Sequence, residues 1–498
     1  MEHFDVLIVG AGLSGIDAAH HLQKFCPNKT YVILEQRHHI GGTWDLFRYP
    51  GIRSDSDMFT MGYSFRPWTS PKAISPGDAI RDYISSTARD EGIDAHIRFG
   101  HHIHSASWST EDATWTIHAI DPSGEVTLTC NFLFSCAGYY RYSSGYTPEF
   151  PSIDRFDGLV VHPQAWPENL DYADKRIVII GSGATAVTLV PAMAKTAAHV
   201  TMLQRSPTYV ISLPEKDVIA NFLRRVLPSM WAYKLSRWKN VAFMTWIYQF
   251  SQRFPNFMKK GLIKKASEQL GPNYDVETHF TPRYKPWEQR MCLVPDADMF
   301  EAIKSDRASV VTDQIATFTA KGLQLKSGLE IDADIIVTAT GLVMQPFGGM
   351  QLSVDGCHVD IGQTLAYKGV MISGVPNLAG VFGYINASWT LKADLICSYV
   401  CRILNFMDSK NMRQVTPTPS NDEKPVAPFV ENFSSGYMQR ALAAWPKQGS
   451  KPPWRVNQNY FRDTVAMKWT KVDDAALVFS NPPRAQPAPD HQLAETAK

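Results

Sequence analysis

Phe4-Asp-Val-Leu-Ile-Val-Gly10-Ala-Gly12-Leu-Ser-Gly15 is the stretch that decides the fold of this 498-residue chain. Its apolar run suits a strand covered on both faces. A glycine-rich turn follows, and then Ile16 to Phe25 with helical spacing. A second apolar run, Tyr31-Val-Ile-Leu34, ends at Glu35, 20 positions beyond Gly15. Strand, GxGxxG turn, helix, strand and distal acid together make a βαβ dinucleotide unit. Gly10, Gly12 and Gly15 let the backbone approach a pyrophosphate at the helix N-terminus, where peptide dipoles favour negative charge. The Glu35 carboxylate accepts hydrogen bonds from a ribose diol.

The pattern recurs. Arg176 to Ile180 reads as a strand, and Gly181-Ser-Gly183-Ala-Thr185-Ala186 is a GxGxxA turn. Val187 to Lys195 reads as the helix, and Val200 to Gln204 as the second strand, followed by Arg205 and Ser206. Gln204 stands about where Glu35 stands in the first unit. A neutral residue there removes repulsion against a ribose 2′-phosphate, and Arg205 can pair with that group. The first unit therefore reads as an FAD site and the second as an NADPH site. Two more strands, from Phe132 and from Asp334, run into glycine turns at Gly138 and Gly341. The second of these marks the return from the nicotinamide unit to the flavin unit.

The expected fold class is α/β, with two Rossmann-like dinucleotide-binding domains, the second inserted into the first, plus a helical insertion. The FAD-binding domain is expected over 1–146 and 343–480, and the NADPH-binding domain over 147–207 and 282–342. The helical insertion covers 208–281, and the proline-rich end, 481–498, is expected to be a flexible tail.

The remaining composition narrows the function. There are 49 lysines and arginines against 48 aspartates and glutamates, so a nucleic-acid partner, which calls for a basic excess, is not expected. Seven scattered cysteines without a CxxC pair argue against a disulfide scaffold or a zinc ribbon, and no metal site is expected. Cys397 and Cys401 read as core packing. A non-basic N-terminus that runs straight into a strand and the absence of a long apolar run predict a cytoplasmic protein. Within 218–267, however, there are ten basic residues, no acidic one and many aromatics. The favoured expectation is a helical subdomain with aromatics as core and lysines in solvent. Peripheral contact with an anionic membrane surface is the alternative.

Two nucleotide sites imply electron transfer from a nicotinamide to a flavin. Gly41 to Trp68 contains no cysteine, which disfavours a disulfide reductase. That segment instead carries Gly41, Gly42, Trp44, Tyr49-Pro50-Gly51 and Asp55 in a GGxWxxxxYPGxxxD pattern. Phe156, Gly158, His162, Trp166 and Pro167 form FxGxxxHxxxWP. With these two motifs the chain resembles the type I Baeyer–Villiger flavin monooxygenases. Gly51 to Met58 and Asn386-Ala-Ser-Trp389-Thr-Leu-Lys392 look most like the subgroup of the ethionamide-activating monooxygenase.

The resemblance implies an NADPH- and O2-dependent enzyme that converts ketones to esters or lactones through a flavin C4a-peroxide. It implies oxidation of sulfides or thioamides as well. Catalytic roles fall on Arg290, as a fixed cation, and on Asp55, which orients it. Gly42, Trp44 and Asp55 join the cofactor-binding set. His162 and Trp166 belong to a linker that couples nucleotide position to domain geometry. Many members place lysine before the arginine, whereas this chain has Gln289, leaving 2′-phosphate selectivity to Arg205 and Ser206. The rival readings are a flavin-containing N/S-monooxygenase and a non-catalytic or redox-sensing flavoprotein at a membrane surface.

Overall fold

The computed structural model describes residues 1–431 and 433–482. The expected tail over 481–498 falls outside the described residues from 483 onward. Two separate sheets organise the chain, each built around one of the glycine-rich turns.

In the first sheet, Glu2–Val9 lies between Tyr31–Glu35 and Gly124–Ser135, parallel to both. Ile97–Phe99 extends one side, and Leu378–Gly380 pairs parallel with the end of Gly124–Ser135 on the other. An antiparallel layer formed by His102–Ser109 and Thr114–Asp121 branches from the earlier part of Gly124–Ser135. Apolar residues cover both faces of the parallel core, as the continuous run Val6, Leu7, Ile8 requires. The helix Leu13–Phe25 packs against the long helix Trp389–Ser409, so the first unit is covered by chain from the far end of the sequence.

The second sheet repeats the arrangement with five parallel strands. Ala308–Thr312, His199–Gln204, Arg176–Ile180, Ile335–Thr338 and Leu159–Val161 lie side by side in that order. Its fifth strand is a finding. Leu159–Val161 pairs with Ile335–Val337, so the motif expected to be a linker contributes an edge strand to the second sheet. Phe156 is buried beside Phe318, and His162 follows directly at the strand end.

The segment 208–281 also departs from expectation at its start. Val210–Leu213 is a short strand that pairs parallel with Cys292–Pro295. Helices then follow at Val218–Val226, Ser229–Arg253, Pro255–Leu270 and Val276–Phe280. Tyr233 and Val241 point inward and are buried, but Phe222, Trp231, Trp238, Phe243, Trp246 and Phe257 are exposed. Apart from Tyr233, the large aromatics named here therefore do not form the core of this region, contrary to the favoured reading. Tertiary packing decides which helix face is covered, and here both faces are apolar. Cys397 and Cys401 are free and buried in the core, as expected. Among the described residues no helix is long and apolar enough to cross a membrane.

Candidate active site

One cleft of about 1200 Å³ runs between the two sheets, lined by the C-terminal ends of their central strands. Such strand ends are where open α/β sheets bind ligands. Both glycine-rich turns open into it. Gly15 is required by close packing, since a Cβ there would come within 1.9 Å of the Gly10 carbonyl oxygen. Gly181 sits at φ +136°, and a Cβ would meet the Ala339 oxygen at 2.3 Å. Neither Gly12 nor Gly183 carries a side chain to cap the helix it precedes. Two helix N-termini thus face the cleft with backbone N–H groups that no side chain satisfies, a ready-made anion cradle.

Glu35 is buried at the end of its strand. One carboxylate oxygen accepts from the Ala11 N–H at 2.7 Å and the other from the Arg37 N–H at 2.8 Å. Burial raises its pKa, against the pull of those two donors. The second unit differs from expectation. Gln204 does not line the cleft; its amide donates to the His279 carbonyl at 2.8 Å and to Thr312 at 2.9 Å. The position that Glu35 holds in the first unit is thus spent on tying its strand to neighbouring chain. Arg205 and Ser206 do line the cleft, and Arg205 has no ionic partner among the described residues.

The segment 41–55 runs from one turn to the other. Gly42 packs against Gly12, and Trp44 lines the cleft in the short helix Thr43–Leu46. Leu46, Phe47 and Tyr49 are then buried in the core of the second unit, beside Ala186 and Leu189. Tyr49 hydrogen-bonds Thr185, and its pKa is raised by burial. Beyond this crossing, Asp55 meets Arg290. The Arg290 Nε donates to Asp55 Oδ2 at 3.0 Å, a terminal guanidinium nitrogen donates to the same oxygen, and the other donates to the Ile385 carbonyl at 3.2 Å. The Asp55 charge raises the pKa of Arg290, so it is a permanent cation. Arg53, two residues earlier, does not compete for Asp55. It pairs with Asp298, whose own pKa burial raises.

His162 accepts from the Gln164 N–H at Nδ1 (3.1 Å), while its Nε2 is buried without a partner. Burial lowers its pKa, so the neutral ring is favoured. Trp166 packs at the margin of the second core, and Pro167 is exposed. Gln289 donates to Ser434 at 3.3 Å.

A family model described as flavin-binding monooxygenase-like matches residues 3–270, more than half of the chain. The chain belongs to that family. Among its relatives, the FAD-containing monooxygenase EthA of Mycolicibacterium smegmatis is 53% identical over 480 residues, 96% of this chain and 97% of that one. A putative FAD-containing monooxygenase, MymA of Mycobacterium tuberculosis, is 49% identical over 499 residues, 99% of this chain and all of that one. In solved structures, the ε-caprolactone-bound cyclohexanone monooxygenase aligns with TM-score 0.76 at 18% identity, covering 96% of this chain and 100% of that chain. This last likeness shows the shared fold. Membership of a monooxygenase family sets aside the non-catalytic reading.

For a flavin-binding monooxygenase-like chain, several cleft residues carry no motif by which the sequence alone could find them. Tyr139 and Tyr437 lie near Arg290, and burial raises the pKa of each. Tyr139 stacks on Trp389 at 5.0 Å between ring centres, and the Trp389 indole donates to Ser14 at 2.8 Å. The run Asn386 to Lys392 is thereby fixed against the first glycine-rich turn. Away from the cleft, Asp17, His21 and Asp394 bring three ligand-type atoms within 4.8 Å of one another. The ammonium of Lys468 stands 3.5 Å from Asp394 and meets that charge.

Proposed function

We propose that this chain is an NADPH- and O2-dependent FAD monooxygenase of the Baeyer–Villiger type. It would convert ketones to esters or lactones and would also oxygenate sulfides or thioamides. In the ketone reaction one atom of O2 enters the carbon–carbon bond beside the carbonyl and the other leaves as water, with two electrons from NADPH. The observation that carries the reading is the Asp55–Arg290 pair, set in a cleft onto which two uncapped dinucleotide turns open. Names of relatives as FAD-containing monooxygenases support the flavin.

The residues fit both cofactors. Gly10, Gly12 and Gly15 would cradle the FAD pyrophosphate, Glu35 would take its ribose, and Gly42 and Trp44 would border the flavin. Gly181, Gly183, Thr185 and Ala186 would hold the NADPH pyrophosphate, with Arg205 and Ser206 on the 2′-phosphate. Bound FAD would supply dioxygen activation. This chain's own contribution is electrostatic and positional. Arg290 would stand against the oxygen that gains negative charge as the carbonyl is attacked, and preorganised charge is often the largest catalytic contribution. Asp55 and the Ile385 carbonyl hold its guanidinium in one orientation before substrate arrives, so little reorganisation remains. Half-buried Tyr139 and Tyr437, with raised pKa values, stay protonated and can donate hydrogen bonds.

We assign the FAD-binding domain to 1–146 with 343–480, and the NADPH-binding domain to 147–207 with 282–342. His162 and Trp166 would transmit nucleotide occupancy between them. Seven free cysteines are in keeping with a cytoplasmic setting. The deciding experiment incubates the purified protein with NADPH and a panel of linear, cyclic and aryl ketones and sulfides. Mass spectrometry should find esters. Sulfoxides with no ester from any ketone would instead establish an enzyme that transfers oxygen only to heteroatoms, for which Arg290 would be dispensable.

A further inference from the structure

The helices Val218–Val226, Ser229–Arg253 and Pro255–Leu270 are anchored on one side and carry exposed aromatics on the other. There only Trp238 meets a ring from elsewhere in the chain, Phe461, among the described residues. On the inner side, Tyr233 donates to the Tyr63 carbonyl, and Arg237 is buried with three carbonyls around it. Val241 packs with Tyr384 and Leu391, and Tyr248 meets Trp287 edge-on. On the outer side, Phe222 is 60% exposed, Trp231 65%, Trp238 59%, Trp246 60% and Phe257 70%. Three of the protein's 13 tryptophans thus point outward from one 25-residue helix. Large aromatics at this density on one face mark an interaction surface.

Charge identifies the occupant. Of the ten cations between 218 and 267, several are already engaged. Arg224 holds the Ser70 carbonyl, Lys239 pairs with Asp217, Lys259 donates to the Pro282 carbonyl, and Lys264 stands 3.8 Å from Glu268. Arg225, Lys234, Arg253, Lys260 and Lys265 are exposed and have no ionic partner among the described residues. No acidic residue lies among them from 218 to 267. A second copy would not satisfy these groups, because a two-fold contact presents the same patch to itself and would set cation against cation. An anionic lipid surface supplies the opposite charge and accepts the aromatics at headgroup depth.

We propose that this outer face docks peripherally on anionic lipid bilayers. The test uses the full-length, FAD-loaded protein and flotation with two kinds of vesicle, phosphatidylcholine alone and phosphatidylcholine mixed with phosphatidylglycerol. Docking predicts flotation with the anionic vesicles only, weakened roughly tenfold or more from low to high salt, as screened attraction requires. A Trp231→Ser, Trp238→Ser, Trp246→Ser triple variant should abolish it. So should a variant with Arg225, Lys234, Lys260 and Lys265 changed to glutamine. NADPH oxidation and thermal melting should be unchanged in both. No flotation with anionic vesicles at low salt overturns the proposal. Equal binding to neutral vesicles overturns its electrostatic half and with it the assignment. Light scattering that shows a dimer, dispersed by the tryptophan variant in protein that ignores vesicles, would award the face to a second copy instead.

Discussion

Arg290 and Asp55 were legible in the sequence because a long motif surrounds Asp55 and family position marks Arg290. Arg290→Ala should keep FAD, seen by its absorbance, yet lose ester formation by about 100-fold or more, on the scale of removing one preorganised charge contact. Asp55→Ala should lose less, because it orients the cation and does not supply it. Arg205→Ala should raise the KM for NADPH roughly 10- to 100-fold, as expected for a lost charge-assisted contact, and leave that for NADH almost unchanged. Equal changes for both nucleotides would remove Arg205 from phosphate recognition. The partners of Arg53 and Gln204 were not legible, because each is fixed by a residue more than 70 positions away. His21 is likewise a product of distant packing. Burial lowers its pKa from 6.5 to about 4, against the attraction of Asp394. A depressed folded-state value means that its contribution is present above pH 6.5 and is lost as pH falls towards 4. Calorimetry of His21→Gln should therefore show a shallower fall in Tm across that interval than the parent protein.

At the scale of the element, periodicity identified the helices of 218–267 but not which face they bury, since apolar side chains occur on both. The deciding residue is a cation. Arg237 donates to the carbonyls of Phe59, Thr60 and Gly62, which end and follow the short helix Met58–Met61. Arg237→Ala would leave the Phe59 and Gly62 carbonyls without this donor, while the Thr60 carbonyl would keep only the Thr390 hydroxyl. The expected loss is about 3 kcal/mol, in the range for removing a buried charged partner. A fall in the urea midpoint tests it, and an unchanged midpoint would show that water replaces the guanidinium freely. The edge strand Leu159–Val161 went unrecognised for a related reason. Three residues have no periodicity of their own, and only Ile335–Val337 beside them makes a strand.

For the whole molecule, the two glycine fingerprints made the pair of dinucleotide units readable, while the closure of the first unit depends on chain far from it. Lys392 and Asp463 form a fully buried ion pair that fastens the C-terminal segment to the helix Trp389–Ser409. Burial lowers the pKa of Lys392 and Asp463 opposes that effect. Asp463→Ala would strand the ammonium, costing about 3–5 kcal/mol. Limited proteolysis should then cut within 459–482 in the variant and spare the parent. The strand order has a consequence in time. Every strand of the second sheet has been synthesised by residue 338, but the first sheet still lacks Leu378–Gly380 and the helix that covers it. A nascent chain, emerging from the ribosome N-terminus first, can therefore complete its second nucleotide fold while the first stands open. The unit that begins the polypeptide is the last to be finished, and messages truncated anywhere between those points would release a chain able to close only the later of its two halves.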